Sequence, residues 1–149
     1  MKTLRNNFLS FLAISIIVLA FQFANAQAEE PWKPTQLLAP AELNKILNNP
    51  KASQPVIFSI GFQDIIKNSI DIGPGRDKES IKKLKQHISK LSKDTFIIIY
   101  CGCCPFDRCP NVRPVFNLLN EMGFKNHKLL NLPQNIKVDW IDKGYAVKK

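Results

Sequence analysis

The sequence predicts a single α/β domain with a central, mostly parallel sheet and helices on both faces. Short apolar runs rich in β-branched residues alternate with longer segments whose apolar residues recur at helical spacing. This alternation is typical of parallel βαβ units. A chain of 149 residues is also long enough for one hydrophobic core that needs no disulfides.

The elements follow from periodicity and from the residues that begin or end them. The expected order is a helix from Pro40 to about 47, a strand at 56–60, an irregular segment at 62–76, a helix from 78 to about 91, a strand at 95–100, a helix from 112 to 122 and a strand at 128–132. Asp77 and Asn111 stand at the expected N-caps of the last two helices, because their side chains can accept backbone N–H groups. Gly123 is the expected C-terminal stop.

The N-terminus has the pattern of a secretory signal peptide. Lys2 and Arg5 precede a mostly apolar stretch at residues 8–23, and Ala24-Asn25-Ala26 is a small-x-small cleavage site. We therefore expect residues 1–26 to be a signal peptide, 27–36 a loose leader and 37–149 the folded domain. The expected location is the periplasm, with no stable membrane insertion after cleavage.

The net charge of +9 does not by itself assign a partner. Most lysines of residues 78–93 fit the solvated face of one helix, and an exported protein is not expected to bind nucleic acid. The sequence does not indicate which protein, if any, is a partner. It also has no Gly-rich nucleotide loop, so no cofactor is predicted.

All four cysteines lie at residues 101–109, between a predicted strand and a predicted helix. Open α/β sheets place their chemistry at this end of a strand, and a helix N-terminus stabilises a thiolate. Cys101 directly follows the strand and is the candidate nucleophile. The competing interpretation is a buried, unreactive core cysteine.

Three interpretations are open for the other cysteines, Cys103, Cys104 and Cys109. They could be resolving or relay thiols for Cys101, or one pair could close a disulfide, for which Cys104–Cys109 suits disulfide geometry better than adjacent cysteines. They could also bind a metal. The spacing is a poor match to zinc sites, whereas copper(I) suits soft thiolates. We rank disulfide or redox chemistry before metal binding and assign no metal.

Two arginines and two histidines complete the candidate residues. Arg108 and Arg113 flank the cysteines and could bind a small sulfur-containing anion by paired hydrogen bonds, although either could also be a plain surface charge. His87 and His127 are expected at the surface, so no cysteine–histidine dyad is predicted.

Residues 37–147 resemble the rhodanese-like, or sulfurtransferase, domain. The resemblance rests on the order of elements and on the strand that ends in Tyr100-Cys101. It is most specific in residues 100–105 (YCGCCP) and 109–114 (CPNVRP), which are similar to an exported subgroup of that family. It implies a persulfide on Cys101 and transfer of that sulfur to a thiol acceptor. The family's Asp-x-Arg after the first core strand is replaced here by Ser59-Ile60-Gly61, and the active loop carries three additional cysteines.

Overall fold

A five-stranded parallel sheet forms the centre of the computed structural model, which describes residues 30–149. The predicted signal peptide and the start of the predicted leader lie outside the described residues. The strands are β1 (Leu37–Leu38), β2 (Val56–Ser59), β3 (Ser69–Asp71), β4 (Ile97–Tyr100) and β5 (His127–Leu130). Their spatial order is β1-β5-β4-β2-β3, and every pair of neighbouring strands is parallel. The predicted α/β class is therefore confirmed, and one compact unit spans Pro31–Lys149.

Three α-helices connect and cover the strands. They are α1 (Pro40–Leu47), α2 (Lys78–Ile88) and α3 (Val112–Glu121). Short 3-10 helices occupy Pro34–Gln36 and Phe106–Arg108, and a π-helical turn occupies Lys137–Ile141. No helix in residues 30–149 has the length and apolar character needed to cross a membrane.

The two faces of the sheet carry separate cores because side chains alternate along each strand. On β4, Ile97 and Ile99 pack with residues of α2 and α3, whereas Ile98 and Tyr100 pack with residues of α1 and with Trp140. All four residues of β4 are fully buried, as expected for a central parallel strand. The helices thus cover both faces of the sheet.

Tyr100 connects the last residue of β4 to a distant part of the chain. Its hydroxyl oxygen accepts hydrogen bonds from the backbone N–H groups of Ile65 and Ile66, at 3.0 and 3.2 Å. It also lies 3.2 Å from the hydroxyl of Ser69 at the start of β3. These bonds hold the segment between β2 and β3 against the sheet.

Several details differ from the sequence-based expectations. The segment at 62–76 is not wholly irregular, because Ser69–Asp71 forms edge strand β3 along β2. Within the expected loose leader, Trp32 is buried and packs edge-on against Phe116, with ring centroids 5.6 Å apart.

The prediction of a surface position for His127 is wrong. Its ring packs against Phe116 at 4.6 Å and is 3% exposed, because the residue belongs to β5 rather than to a loop. His87 is exposed as predicted.

Asp77 and Asn111 occupy the predicted N-cap positions of α2 and α3, but neither side chain makes a capping hydrogen bond. In α2, the backbone carbonyl of Asp77 accepts the N–H of Ile81, and the carboxylate of Asp77 lies 3.8 Å from the guanidinium of Arg76. The side-chain amide of Asn111 instead donates a hydrogen bond to the sulfur of Cys101.

Candidate functional site

Cys101 lies at the carboxyl edge of the sheet, directly after β4. β2 ends beside it, since Ser59 pairs with Tyr100 in the register of the two strands. Gly61 then passes so close that a Cβ atom there would lie 2.9 Å from Cys101 Sγ. Cys101 is only 1% exposed, so the glycine provides the space that its sulfur occupies.

The loop after Cys101 is fixed to the segment that follows β5. The carbonyl of Gly102 accepts the N–H of Ile136 at 3.0 Å, and a Cβ at Gly102 would lie 2.6 Å from the Cβ of Ile136. Further along, the N–H of Phe106 donates to the carbonyl of Leu132 at 3.1 Å. The ends of β2, β4 and β5 therefore all contribute to the position of the loop.

The sulfur atoms of the loop form a tight group centred on Cys103. Cys103 Sγ lies 3.3 Å from Cys101 Sγ, 3.2 Å from Cys104 Sγ and 4.0 Å from Cys109 Sγ. All four thiols are unbridged. Cys101 and Cys109 are buried, Cys104 is half-buried and Cys103 is exposed. The Cys104–Cys109 disulfide expected under oxidising conditions stays a prediction.

Asn111 orients toward Cys101 instead of capping α3. Its Nδ2 donates a hydrogen bond to Cys101 Sγ at 3.4 Å. Its Oδ1 accepts the backbone N–H of Arg76 at 3.4 Å, which fixes the amide with its donor end toward the sulfur. Gly75 permits this arrangement, since a Cβ there would lie 2.3 Å from the carbonyl oxygen of Asn111.

These hydrogen bonds make Cys101 the thiolate of the group. A hydrogen bond from the Cys109 thiol is the largest cause that lowers the pKa of Cys101 to about 5, from an ordinary value of 9.0. Burial opposes this shift, while Asn111 and the backbone and thiol of Cys103 support it. A thiol with this pKa is ionised at neutral pH.

The pKa values of Cys103 and Cys109 shift in the opposite direction from that of Cys101. The hydrogen bond that Cys109 gives to Cys101 raises the pKa of Cys109, and burial adds to the effect. Desolvation, followed by hydrogen bonds with Cys104 and Cys101, raises the pKa of Cys103 to about 12. The lowered pKa of Cys101 is thus accompanied by raised pKa values of Cys103 and Cys109.

The N-terminus of α3 lies beside the sulfur of Cys101. Val112, its first residue, has its N–H bonded to the carbonyl of Cys109 at 3.2 Å, and Asn111 contacts the sulfur of Cys101. The positive end of a helix dipole stabilises a nearby anion. The location of the thiolate therefore agrees with the sequence-based argument for a helix start beside the cysteines.

The two candidate arginines differ in their surroundings. The guanidinium of Arg113 donates to the carbonyl of Asp107 at 2.7 Å and lies over the ring of Trp32, 5.4 Å from its centroid. Arg108 ends the 3-10 helix of the loop and is exposed. Of the two, Arg108 is the cation whose side chain faces solvent beside the cysteines.

Three of the thiols are also close enough to share one metal ion. The sulfurs of Cys101, Cys103 and Cys109 all lie within 4.8 Å of one another. Three thiolates suit a soft ion such as copper(I) better than a hard cation that prefers oxygen ligands.

Sequence reasoning found the four cysteines but missed the groups that position them. The sequence predicts Asn111 only as a helix cap, and it gives Gly61 and Gly75 no place in the site. No model of a known protein family matches this sequence, and a search of curated proteins finds no significant match.

Proposed function

We propose that this protein is a periplasmic sulfurtransferase of the rhodanese-like type, which carries sulfane sulfur as a persulfide on Cys101. The observation that carries the proposal is the buried sulfur of Cys101 at the end of β4, which accepts a hydrogen bond from Asn111 Nδ2 at 3.4 Å and lies 3.3 Å from Cys103 Sγ. A sulfur carrier requires a nucleophilic thiolate and donors that stabilise a charged sulfur. The loop supplies both.

The loading step needs a small donor such as thiosulfate. Cys101 Sγ attacks the outer sulfur of thiosulfate, a new S–S bond forms, and the old S–S bond of the donor breaks. Sulfite leaves with the electron pair of the broken bond. The low pKa of Cys101, caused first by the hydrogen bond from Cys109, keeps the attacking sulfur ionised at neutral pH.

The unloading step returns Cys101 to its thiolate. An acceptor thiolate attacks the outer sulfur of the persulfide, and the electron pair of the broken bond stays on Cys101 Sγ. The hydrogen bonds that stabilise the Cys101 thiolate also make it a good leaving group, because a thiol of lower pKa leaves faster. The acceptor in this step is a thiol.

The anionic donor has a cation available at the loop. Arg108 is exposed on the 3-10 helix that precedes Cys109, and its guanidinium can bind the sulfonate oxygens of thiosulfate by paired hydrogen bonds. Arg113 is engaged by Asp107 and Trp32, so we assign it to the support of the loop as well as to the positive potential around it.

The proposal is tested by intact mass after incubation with thiosulfate. The fully reduced protein should gain one sulfur atom, and Cys101→Ser should gain none. Cys104→Ser is the matched control, because it alters a thiol of the same loop and leaves Cys101 and its bond from Asn111 in place. A parent protein that never gains sulfur would refute the proposal.

A second candidate function is binding of copper(I), and the grouping of three thiols within 4.8 Å favours it. The test is competition between the reduced protein and a chromophoric copper(I) chelator. A copper carrier should lose affinity in Cys101→Ser, Cys103→Ser and Cys109→Ser alike, whereas sulfur loading should be abolished in Cys101→Ser alone. Cys104→Ser again serves as the control.

A further inference from the structure

The candidate nucleophile and the solvent are separated by a second thiol. Cys101 is 1% exposed and Cys109 is fully buried, so neither presents its sulfur to a large acceptor. Cys103 is exposed, and its Sγ lies only 3.3 Å from Cys101 Sγ. A sulfur atom held at Cys101 therefore has a neighbouring thiol between it and the surface.

We infer that Cys103 is a relay residue, which takes the sulfane sulfur from Cys101 and presents it at the surface to an acceptor thiol too large to reach Cys101. This inference rests on the proposed function and adds the exit path of the sulfur. It also assigns a chemical class to the acceptor, namely a bulky thiol such as a peptide or a protein cysteine.

The transfer is balanced and needs no external oxidant or reductant. Cys103 Sγ attacks the outer sulfur of the Cys101 persulfide and gives up its proton to water as it does so. A bond forms between that sulfur and Cys103 Sγ, and the bond to Cys101 Sγ breaks. The electron pair stays on Cys101 Sγ, which returns to the thiolate, and Cys103 becomes the persulfide. The acceptor then removes the sulfur from Cys103 in the same way.

Cys103 and Cys101 are in direct contact. Their Sγ atoms lie 3.3 Å apart, and the outer sulfur of a persulfide, about 2.05 Å from the sulfur that carries it, must pass in line between them, so the exposed Cys103 side chain draws back from Cys101 during the transfer. Cys103 Sγ is also 3.2 Å from Cys104 Sγ and 4.0 Å from Cys109 Sγ. Among these neighbours Cys103 alone combines contact with Cys101 and exposure to solvent.

The closing experiment measures transfer from a loaded protein to two acceptors of different size. Parent, Cys103→Ser and Cys104→Ser proteins are first loaded with thiosulfate, freed of excess donor, and then mixed with either cyanide or glutathione. Cyanide is small enough to use the same path as thiosulfate, whereas glutathione is a bulky thiol. In Cys103→Ser the rate of transfer to glutathione, divided by the same variant's rate of transfer to cyanide, should fall roughly tenfold or more below the parental ratio, as expected when a positioned group is removed.

Location of the persulfide provides a second readout. After alkylation and tandem mass spectrometry, the extra sulfur of the parent should be found on both Cys101 and Cys103, and that of Cys103→Ser on Cys101 alone. Cys104→Ser should resemble the parent in both measurements.

The outcomes separate the relay from the function on which it rests. If the parent gains no sulfur, the proposed function itself is wrong. If the parent loads but Cys103→Ser serves glutathione at the parental rate, only the relay is overturned. A Cys101–Cys103 disulfide with release of hydrosulfide would also overturn it, since Cys103 would then have attacked the inner sulfur.

Discussion

The side-chain amide of Asn111 donates a hydrogen bond to the sulfur of Cys101 at 3.4 Å, although Asn111 stands at the N-cap of α3. Its oxygen accepts the N–H of Arg76, so the amide joins three parts of the chain: the turn before α2, the start of α3 and the end of β4. A side chain that would normally satisfy the first turn of a helix instead stabilises a thiolate.

Asn111→Ala should raise the pKa of Cys101 by about one unit, the size expected for loss of one hydrogen bond to a charged group. The measurement is the pH dependence of alkylation of Cys101 in reduced protein, whose midpoint should move upward from about 5. Asn117→Ala is the control, because Asn117 is exposed on the same helix. An unchanged midpoint would show that the amide does not act on the sulfur.

The lowered pKa of Cys101 should appear as pH-dependent stability. Its value is about 5 in the folded protein and 9.0 for an ordinary cysteine, so between these values the unfolded chain binds the additional proton. The stability from this group is therefore complete above pH 9, declines as the pH falls, and is lost at about pH 5. The raised pKa values of Cys103 and Cys109 act only above pH 9.

The measurement is denaturant unfolding of parent and Cys101→Ser under reducing conditions. The difference in their free energies of unfolding should grow with pH across this window, by at most about 1.4 kcal/mol per pH unit. A difference that does not vary with pH would contradict a folded-state thiolate at Cys101.

Gly61→Ala should destabilise the protein by about 1–3 kcal/mol, because its Cβ would lie 2.9 Å from Cys101 Sγ in a packed site. The loss should be smaller in a Cys101→Ala background, where that sulfur is absent. Gly75→Ala is the comparison, since its Cβ would meet the backbone oxygen of Asn111 at 2.3 Å and should be equally harmful in both backgrounds. Equal losses for Gly61→Ala in the two backgrounds would count against the contact.

Tyr100→Phe should lower the free energy of unfolding by about 1–3 kcal/mol, because it leaves the half-buried backbone N–H of Ile65 and the buried N–H of Ile66 without their acceptor. Tyr145→Phe is the matched control. Tyr145 is half-buried against Trp140, and its hydroxyl makes no hydrogen bond within residues 30–149. Thermal or denaturant unfolding gives both values, and equal effects of the two changes would show that the Tyr100 hydroxyl is not structural.

The exported form should begin at Gln27, because Ala24-Asn25-Ala26 follows the apolar run as a cleavage site would. N-terminal sequencing or intact mass of protein recovered from the periplasm checks this. Recovery of protein that retains Met1 would contradict cleavage, and Ala26→Pro should reduce processing in the same assay.

The parts of the fold that the sequence predicts well are those with a strong local pattern. The apolar run before Cys101 indicates a buried strand, and the structure places β4 at Ile97–Tyr100. The periodic apolar residues after Asn111 indicate a helix, and Gly123 follows the end of α3 with φ of 75°, as a C-terminal stop requires.

β3 carries too little local pattern to be predicted. It has one apolar residue, Ile70, between Ser69 and Asp71, and it forms because β2 offers a pairing edge. His127 shows the same limitation, since its burial comes from β5 and from Phe116. The residues that contact the Cys101 sulfur are still harder to predict from the sequence. Gly61 lies 40 residues from Cys101, and only the pairing of β2 with β4 brings them together.

All four cysteines lie at residues 101–109, so no disulfide within the chain can connect distant segments of the domain. Any bridge among them would close a ring of at most nine residues, which restricts the unfolded chain far less than a bridge between distant segments. The sheet and its two cores contain no cross-link that reduction could open. Oxidation or reduction of the loop therefore makes or breaks no covalent bond between distant segments of the domain.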